Sequence, residues 1–243
     1  MIDRLLALQR EGGRGVVLTV VAGEGLGSRV LVVEGAETLG DGPPELAAHA
    51  PELIRGARNR TLEFEGRTVF AEVYAPPPRL FVYGAVDLAE ALAAVAKQLG
   101  WPTVVADARA KFATGERMRS ADELLVAWPE DALAQVAPDH GTAIVILTHD
   151  DKFDLPALEL ALATDAFYIG LIGGRRNQER RRERLREAGV SEDALERSAG
   201  PCGLDLGAHS VPETALSILA EAVAARYGRE GGPLRQSAKR IHA

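Results

Sequence analysis

Cysteine is nearly absent from this sequence of 243 residues, which contains only Cys202. A single cysteine cannot form a disulfide within the chain, and it cannot supply a metal cluster built from several cysteines. Long apolar runs are also missing, since none approaches the roughly 20 residues that a transmembrane helix needs. Charged residues interrupt the N-terminal stretch MIDRLLALQR, which therefore does not resemble a signal peptide. These absences predict a cytoplasmic protein without a membrane segment.

An excess of positive charge is missing as well. The chain has 28 Lys and Arg against 35 Asp and Glu, for a net charge of -7. Bulk attraction to nucleic acid or to anionic lipid is therefore not expected, although a local basic cluster could still bind an anion. Hydrophobic residues make up 47% of the chain, which is enough to bury a sizeable core.

Three consecutive prolines, Pro76 to Pro78, mark the predicted boundary between two domains, because proline lacks an N–H donor and has a fixed φ. We predict a small α+β domain over residues 1–75, a second domain over 76–228 and a polar tail over 229–243. In the first domain the patterns predict strands at 15–21 and 29–33, a helix at 44–57 that Pro51 should kink or split, and a hairpin of residues 61–65 and 68–74 that turns at Glu65-Gly66.

The second domain alternates between short apolar runs and amphipathic stretches. Continuously apolar strands that alternate with helices predict a parallel sheet covered on both faces, here a Rossmann-like, doubly wound α/β fold. The expected strand order is 3-2-1-4-5, and a ligand should bind at the carboxyl ends of the strands, near the switch point between strands 1 and 4. The predicted strands are 79–83, 103–106, 123–127, 143–147 and 167–172, and the predicted helices are 87–99, 129–136, 155–163, 175–188 and 211–227.

The loop after the first of these strands has an incomplete dinucleotide-binding fingerprint. Gly84 occupies the first glycine position, but Val86 replaces the second glycine, which would let the backbone approach a pyrophosphate. Asp87 is either the cap of the following helix or a ligand contact. Asp107 ends the second strand, where an acid can hold a ribose hydroxyl, and Arg109 follows it; the alternative is an exposed ion pair in a loop.

Polar residues follow the fourth strand, at the predicted switch point. His149 could transfer a proton near neutral pH or could simply form a structural hydrogen bond. Asp150 and Lys152 lie beside it, and Asp154 is the best candidate for the N-cap of a helix that opens at Leu155-Pro156.

The fifth strand is followed by Gly173, Gly174, Arg175 and Arg176. Two glycines before a helix expose backbone N–H groups to an anion. Arginines in a first turn oppose the helix dipole unless an anion compensates them, so this segment predicts phosphate binding. The arginines from 180 to 186 alternate with glutamates, and we expect them to form a solvated face with i,i+4 ion pairs.

A glycine-bounded loop, Gly203 to Gly207, precedes the last predicted helix and places Asp205 near its start. The loop is either a second anion-facing helix start or a plain connection. Ser210 and Glu213 have the spacing of a capping box. Cys202 is expected to be a buried small apolar residue, with a role in sulfur handling as the alternative.

Together these motifs resemble the XdhC/CoxI family of xanthine dehydrogenase accessory proteins over residues 79–228. The likeness lies in GAVDLAEALAAVAKQLG, VVADARAKFATGERM, LTHDDKFD, YIGLIGGRRNQERRRERLREAGV and PCGLDLGAHSVPETALSILAE. The first domain is less similar, because its segment Leu39 to Pro43 has no cysteine where family members often have one.

The resemblance implies a chaperone of the molybdenum cofactor rather than an enzyme. Such a protein would bind molybdopterin as cargo, protect it, present it to a cysteine desulfurase for sulfuration, and support its insertion into a xanthine dehydrogenase-type molybdenum hydroxylase. On this hypothesis Gly173, Gly174, Arg175 and Arg176 hold the phosphate. The loop residues Gly84, Asp87, Asp107, Arg109, His149, Asp150 and Lys152 surround the rest of the cofactor, and Asp205 shapes the wall of the site.

Two alternatives remain at this point: an NAD(P)-dependent oxidoreductase, which Asp107 favours and Val86 opposes, and an interaction scaffold without a ligand. No residue forms a recognisable nucleophile or catalytic triad, so we predict neither catalytic residues nor metal ligands. The sequence leaves open the client enzyme, the mononucleotide or dinucleotide form of the cofactor, the role of the first domain, and the oligomeric state, for which a homodimer is one option.

Overall fold

The computed structural model describes residues 1–238. Within it the chain divides into two compact units, of which the first comprises Met1–Pro76 with the described residues from Leu234 onward and the second comprises Pro77–Pro233. The predicted tail begins at residue 229; Leu234–Gln236 in it forms a 3-10 turn, and residues 239–243 lie outside the described part. No helix of the described residues has the length and apolar character needed to cross a membrane.

The first unit is built on an antiparallel sheet of five strands in the order β3-β2-β1-β5-β4. Strand β1 alternates its side chains between two clusters: Val16 and Leu18 pack against Leu53 and Ile54, whereas Val17 packs against Leu8 near the N-terminus. Both faces of the sheet are therefore covered. The elements are α1 (Ile2–Arg10), β1 (Gly15–Ala22), β2 (Arg29–Val33), β3 (Thr38–Gly40), a 3-10 helix (Pro44–His49), α2 (Ala50–Gly56), β4 (Arg60–Phe64) and β5 (Arg67–Tyr74).

Two local predictions for this unit are confirmed. The predicted helix over 44–57 is split, since a 3-10 helix ends at His49 and α2 begins beside Pro51, which lies in its first turn where its missing N–H costs no bond. The β4–β5 hairpin turns at Glu65 and Gly66, whose φ angles of 46° and 77° are both left-handed, as a tight hairpin turn requires. Helix α1 and strand β3 were not predicted.

The second unit is a parallel sheet of six strands in the order β11-β10-β9-β6-β7-β8, which confirms the Rossmann-like prediction. The order predicted for the five longer strands is correct, and the two-residue strand β11 is an unpredicted addition at one edge. The strands are β6 (Arg79–Tyr83), β7 (Thr103–Ala106), β8 (Glu123–Leu125), β9 (Thr142–Ile146), β10 (Tyr168–Leu171) and β11 (Ser198–Ala199). The helices are α3 (Asp87–Gln98), α4 (Pro129–Val136), α5 (Asp151–Leu162), α6 (Arg175–Glu187), α7 (Glu192–Glu196) and α8 (Val211–Arg226).

Alternation along the strands divides the core of this unit into two layers. Leu80 and Val82 of β6 point to a layer that contains residues of α3 and α8, while Phe81 and Tyr83 point to a layer that contains residues of α4, α5 and α6. Residues of the central strands are almost completely buried on both faces, which explains their continuous apolar runs. The capping box of Ser210 with Glu213 is present at the start of α8, as predicted.

Candidate functional site

Polar loops meet at the carboxyl edge of the parallel sheet. Because β6, β7, β9 and β10 run in the same direction, the loops that follow them emerge at one edge, where open α/β sheets bind their ligands. These loops contain most of the residues that the sequence singles out, and the structure shows what each one contacts.

Gly84 allows the ends of β6 and β9 to approach closely. Its φ is 115°, and a Cβ added there would lie 3.0 Å from Thr148 Cγ2 and 3.2 Å from the Thr148 amide nitrogen. Any other residue at 84 would therefore be strained and would press on the adjoining loop. The close packing against Thr148 is thus sufficient to explain why residue 84 is glycine, and no bound phosphate is needed to explain it.

Asp87 does not cap helix α3. The N-cap is Val86, and Asp87 is the first residue of the helix, with its side chain 86% exposed and 3.0 Å from the guanidinium of Arg117. The capping alternative is therefore wrong: the carboxylate lies one residue too far into the helix to accept the bonds that an N-cap accepts.

Asp107 is buried, with 1% of its surface exposed, and its carboxylate is fully hydrogen-bonded within the chain. Oδ1 accepts from the Arg109 amide at 2.9 Å and from Arg109 Nε at 2.8 Å. Oδ2 accepts from the Ala85 amide at 2.9 Å and from the other arm of the Arg109 guanidinium at 2.8 Å. All four lone-pair positions are thus in use, and no acceptor position remains for a ribose hydroxyl. The ion pair with Arg109, which was the alternative, is present, but its carboxylate is buried rather than exposed.

The charges of this pair are stable at neutral pH. Burial acts to raise the pKa of Asp107, but the bonds from Arg109 and Ala85 outweigh it, so the pKa lies below the ordinary value of an aspartate. The hydrogen bonds to Asp107 likewise raise the pKa of Arg109. Arg109 is therefore a fixed cation, held in place by an anion that is itself inaccessible.

Asp154 is not the N-cap of α5, which is a correction. The helix begins earlier, at Asp151, and the cap is Asp150, whose side chain accepts a hydrogen bond from the Lys152 amide at 3.2 Å. Asp154 lies inside the helix, fully buried, and accepts hydrogen bonds from Thr148 and Arg181. Pro156, which the sequence pattern places in the first turn of the helix, lies in the second turn instead.

The prediction of a solvated arginine face on α6 is confirmed for Arg180, Arg184 and Arg186, whose side chains are about half exposed, but it is wrong for Arg181 and for the i,i+4 ion pairs. Arg181 is buried, and its guanidinium donates hydrogen bonds to Asp154 and to the backbone oxygens of Ile172 and Thr148. Arg180 and Arg184 extend to Asp151 of α5, at 3.2 and 2.5 Å, rather than to glutamates of their own helix. Periodicity cannot reveal these contacts, because they join two helices.

The residues around the start of α5 remain accessible. His149, Asp150 and Lys152 are all exposed, and Lys152 Nζ lies 3.4 Å from Asp150 Oδ2 and 4.7 Å from the centre of the Phe153 ring. They form a mixed polar surface beside the switch point.

Helix α6 begins with the predicted glycine-arginine segment. Gly173 has a φ of 120°, Gly174 is the N-cap without a side-chain bond, and Arg175 and Arg176 are the first two helical residues. Both arginines are exposed, and their side chains form no hydrogen bond or ion pair with any described residue. Two uncompensated cations at a helix N-terminus oppose the helix dipole, an arrangement that a bound anion would relieve.

The loop before α8 contributes less. Asp205 is exposed. Cys202 is half-buried against the layer formed with α3 and α8, and burial raises the pKa of its thiol to about 12. The thiol is therefore protonated at neutral pH, which argues against a sulfur-handling role because the thiolate is the reactive form. The described residues contain no cluster of three or more His, Cys, Asp or Glu side chains that could hold a metal ion.

Trp128 also lies at this edge, although the sequence patterns do not single it out. It lies three residues after the end of β8 and is the N-cap of α4, with 51% of its surface exposed. Its position shortly after a strand and directly before Pro129 is the signal that could have identified it.

Comparison with known proteins agrees with this architecture. The model of the XdhC Rossmann domain family matches residues 80–222. The structure also resembles the crystal structure of a xanthine dehydrogenase from Bacillus halodurans, with a TM-score of 0.68 and 24% sequence identity. The superposition covers 94% of this chain and 67% of the Bacillus halodurans chain, which shows a shared fold.

Three curated relatives are each 29% identical to the chain. YqeB of Escherichia coli (strain K12) matches 86% of this chain and 39% of its own length. A protein of Bacillus subtilis (strain 168) that is named as a probable xanthine dehydrogenase subunit matches 65% of this chain and 46% of its own length. The molybdenum cofactor insertion chaperone PaoD of Escherichia coli (strain K12) matches 65% of this chain and 43% of its own length. The chain thus spans less than half the length of these relatives.

Proposed function

We propose that this chain, which belongs to the XdhC family, is an accessory protein that binds the molybdenum cofactor and supports its insertion into a molybdenum hydroxylase of the xanthine dehydrogenase type. The names of the relatives from Bacillus subtilis and Escherichia coli support a role connected with such enzymes and with cofactor insertion. Protection of the cofactor, and its presentation to a cysteine desulfurase, are further parts of the proposal.

The observation that carries the proposal is the pair of uncompensated arginines at the start of α6. Molybdopterin has a terminal phosphate, and a phosphate placed at this N-terminus would meet the positive end of the helix dipole, the backbone N–H groups after Gly174, and two free guanidinium groups. The residues present therefore fit the phosphate of the cofactor.

Four of the other predicted site residues would contact the part of the cofactor that lies beyond the phosphate. Arg109, His149, Asp150 and Lys152 are accessible along the same edge and would contact the rest of the cofactor. Asp107 would act only through Arg109, because its carboxylate has no free acceptor position. Saturation of the Asp107 carboxylate and the side chain of Val86 both oppose binding of a nicotinamide dinucleotide.

A transfer assay tests the proposal. The chain loaded with the complete molybdenum cofactor is mixed with a xanthine dehydrogenase-type hydroxylase that lacks its cofactor, and the recovered hydroxylase activity is compared with that from the free cofactor. The loaded chain should restore more activity, and the variant Arg175→Ala, Arg176→Ala should not. Arg186→Ala is the matched control, since Arg186 lies on the same helix but pairs with Glu192 of α7. Equal recovery with the free cofactor and with the loaded chain would overturn the proposed role.

A further inference from the structure

An exposed aromatic residue lies at the carboxyl edge of the sheet, apart from the α6 segment. Trp128 is 51% exposed, although tryptophan usually buries most of its large apolar surface. Its ring packs on Phe153, with the ring centres 5.1 Å apart and the planes inclined by 50°, and Phe153 is itself 3% exposed. One side of the indole is thus supported by the core while a large part of the ring remains accessible.

The backbone on both sides of Trp128 is held by its neighbours. The Tyr83 hydroxyl donates a hydrogen bond of 3.3 Å to the carbonyl of Ala127, the preceding residue. Trp128 is followed at once by Pro129, which begins α4 with a fixed φ. A ring held in this way loses little further conformational freedom when a ligand packs on it.

Two cations lie near the ring of Phe153. The Arg109 guanidinium carbon lies 5.7 Å from the centre of the Phe153 ring and 4.3 Å from that of Phe112, and Lys152 Nζ lies 4.7 Å from the centre of the Phe153 ring. Arg109 is oriented by its two bonds to Asp107. An accessible aromatic face next to positively charged donors is the combination that binds planar, anionic heterocycles.

We propose that Trp128, supported by Phe153, whose ring Arg109 and Lys152 also approach, is a stacking platform for a planar nitrogen heterocycle of the bound cofactor. This inference rests on the proposed function and adds a residue to that site. The stacked ring is either the pterin or the base of a nucleotide attached to it, since both have the required π-face and the two share this chemistry.

The rate at which the purified protein loses its pterin distinguishes a failure of the Trp128 platform from a failure of the proposed function. Wild type, Trp128→Ala, Trp128→Phe, and the Arg175→Ala, Arg176→Ala variant are purified from a host that makes the cofactor, and the pterin lost during dialysis is followed by fluorescence. Loss of stacking should make Trp128→Ala release pterin about ten times faster, while Trp128→Phe, which keeps an aromatic face, should stay close to wild type. Leu216→Ala is the matched control, because Leu216 is 53% exposed but lies on α8, which packs on the opposite face of the sheet.

Each outcome has a distinct meaning. If Trp128→Ala retains pterin as wild type does while the arginine variant loses it, the proposed function stands and the platform is wrong. If Trp128→Phe is as defective as Trp128→Ala, stacking is also ruled out. If wild type carries no pterin, both proposals are overturned. Titration of the stripped protein with pterin, and separately with AMP, GMP and CMP, then identifies the ring: the probe whose affinity falls in Trp128→Ala is the one that stacks, and unchanged affinity for all of them contradicts the platform.

Discussion

The carboxylate of Asp107, buried just after β7, accepts hydrogen bonds from Nε and from one terminal nitrogen of the Arg109 guanidinium, each at 2.8 Å. The same carboxylate also accepts the amide of Ala85, in the loop after β6. One buried anion thus orients an accessible cation and joins two loops of the candidate site. In nucleotide-binding folds an acid at this position accepts a hydrogen bond from a ribose hydroxyl. In this chain the acid accepts its hydrogen bonds from Arg109 and Ala85 instead.

Replacing Asp107 by Asn should lower the free energy of unfolding at neutral pH by about 2 kcal/mol, because the charged hydrogen bonds are lost and Arg109 is about one-third exposed, which limits the cost. The pKa of Asp107 is lowered in the folded state, so its contribution to stability is present above the unfolded pKa of about 4 and is lost as the pH falls through the folded pKa. Urea unfolding of both proteins from neutral to acid pH checks this.

The difference in stability between wild type and Asp107→Asn should therefore shrink below about pH 4. Asp205→Asn is the control, since Asp205 is exposed, and it should leave stability unchanged. A difference between wild type and Asp107→Asn that is constant over this pH range would contradict the structural account of the pair.

The buried pair of Asp154 and Arg181 supports the junction of α5 and α6. Arg181→Met should destabilise the protein by about 3–5 kcal/mol, because it leaves a buried carboxylate without its counter-charge. Burial already raises the pKa of Asp154, an effect that Thr148 and Arg181 oppose. Adding Asp154→Leu should restore most of the lost stability, since the remaining polar groups are then neutral.

Denaturant unfolding of the wild type, the two single variants and the double variant forms a complete cycle for this pair. The double variant should be more stable than Arg181→Met alone. Additive losses in the double variant would show that the two side chains act independently, contrary to the geometry.

Gly84→Ala tests the close approach of β6 and β9. The new methyl group would press on Thr148, and φ at this position is 115°, so a loss of about 1–3 kcal/mol in unfolding free energy is expected. Gly115→Ala is the control, because Gly115 lies in an exposed turn of the same unit and an added Cβ there meets no atom within 4 Å. Thermal unfolding of the two variants compares them directly, and equal midpoints would refute the steric argument.

The sequence is sufficient to predict the order of the five longer parallel strands, because their apolar runs are continuous and helices separate them. It also predicts the α6 segment, whose glycines and arginines are adjacent in the chain. Asp154 and Arg181 are a different case: they meet across two helices, and Pro156 suggests a helix start where none exists. Sequence spacing does not contain that information.

The surroundings of Asp107 were unpredictable for a related reason. Its position at a strand end suggests a ligand contact, but whether its oxygens are free depends on the conformation of Arg109, two residues later. Trp128 illustrates the converse, since a tryptophan usually belongs to the core and only the structure shows that this one is half exposed.

The most direct test of the central claim is whether the chain carries a pterin bound through Arg175 and Arg176. The protein is purified from a host that makes molybdenum cofactor, denatured and oxidised, and the released pterin is quantified by fluorescence beside the Arg175→Ala, Arg176→Ala variant. Each lost charged contact should weaken binding by about 1.5–3 kcal/mol, so we expect nearly one pterin per chain from wild type and little from the variant. Wild type without pterin, or a variant that carries as much as wild type, would contradict the account.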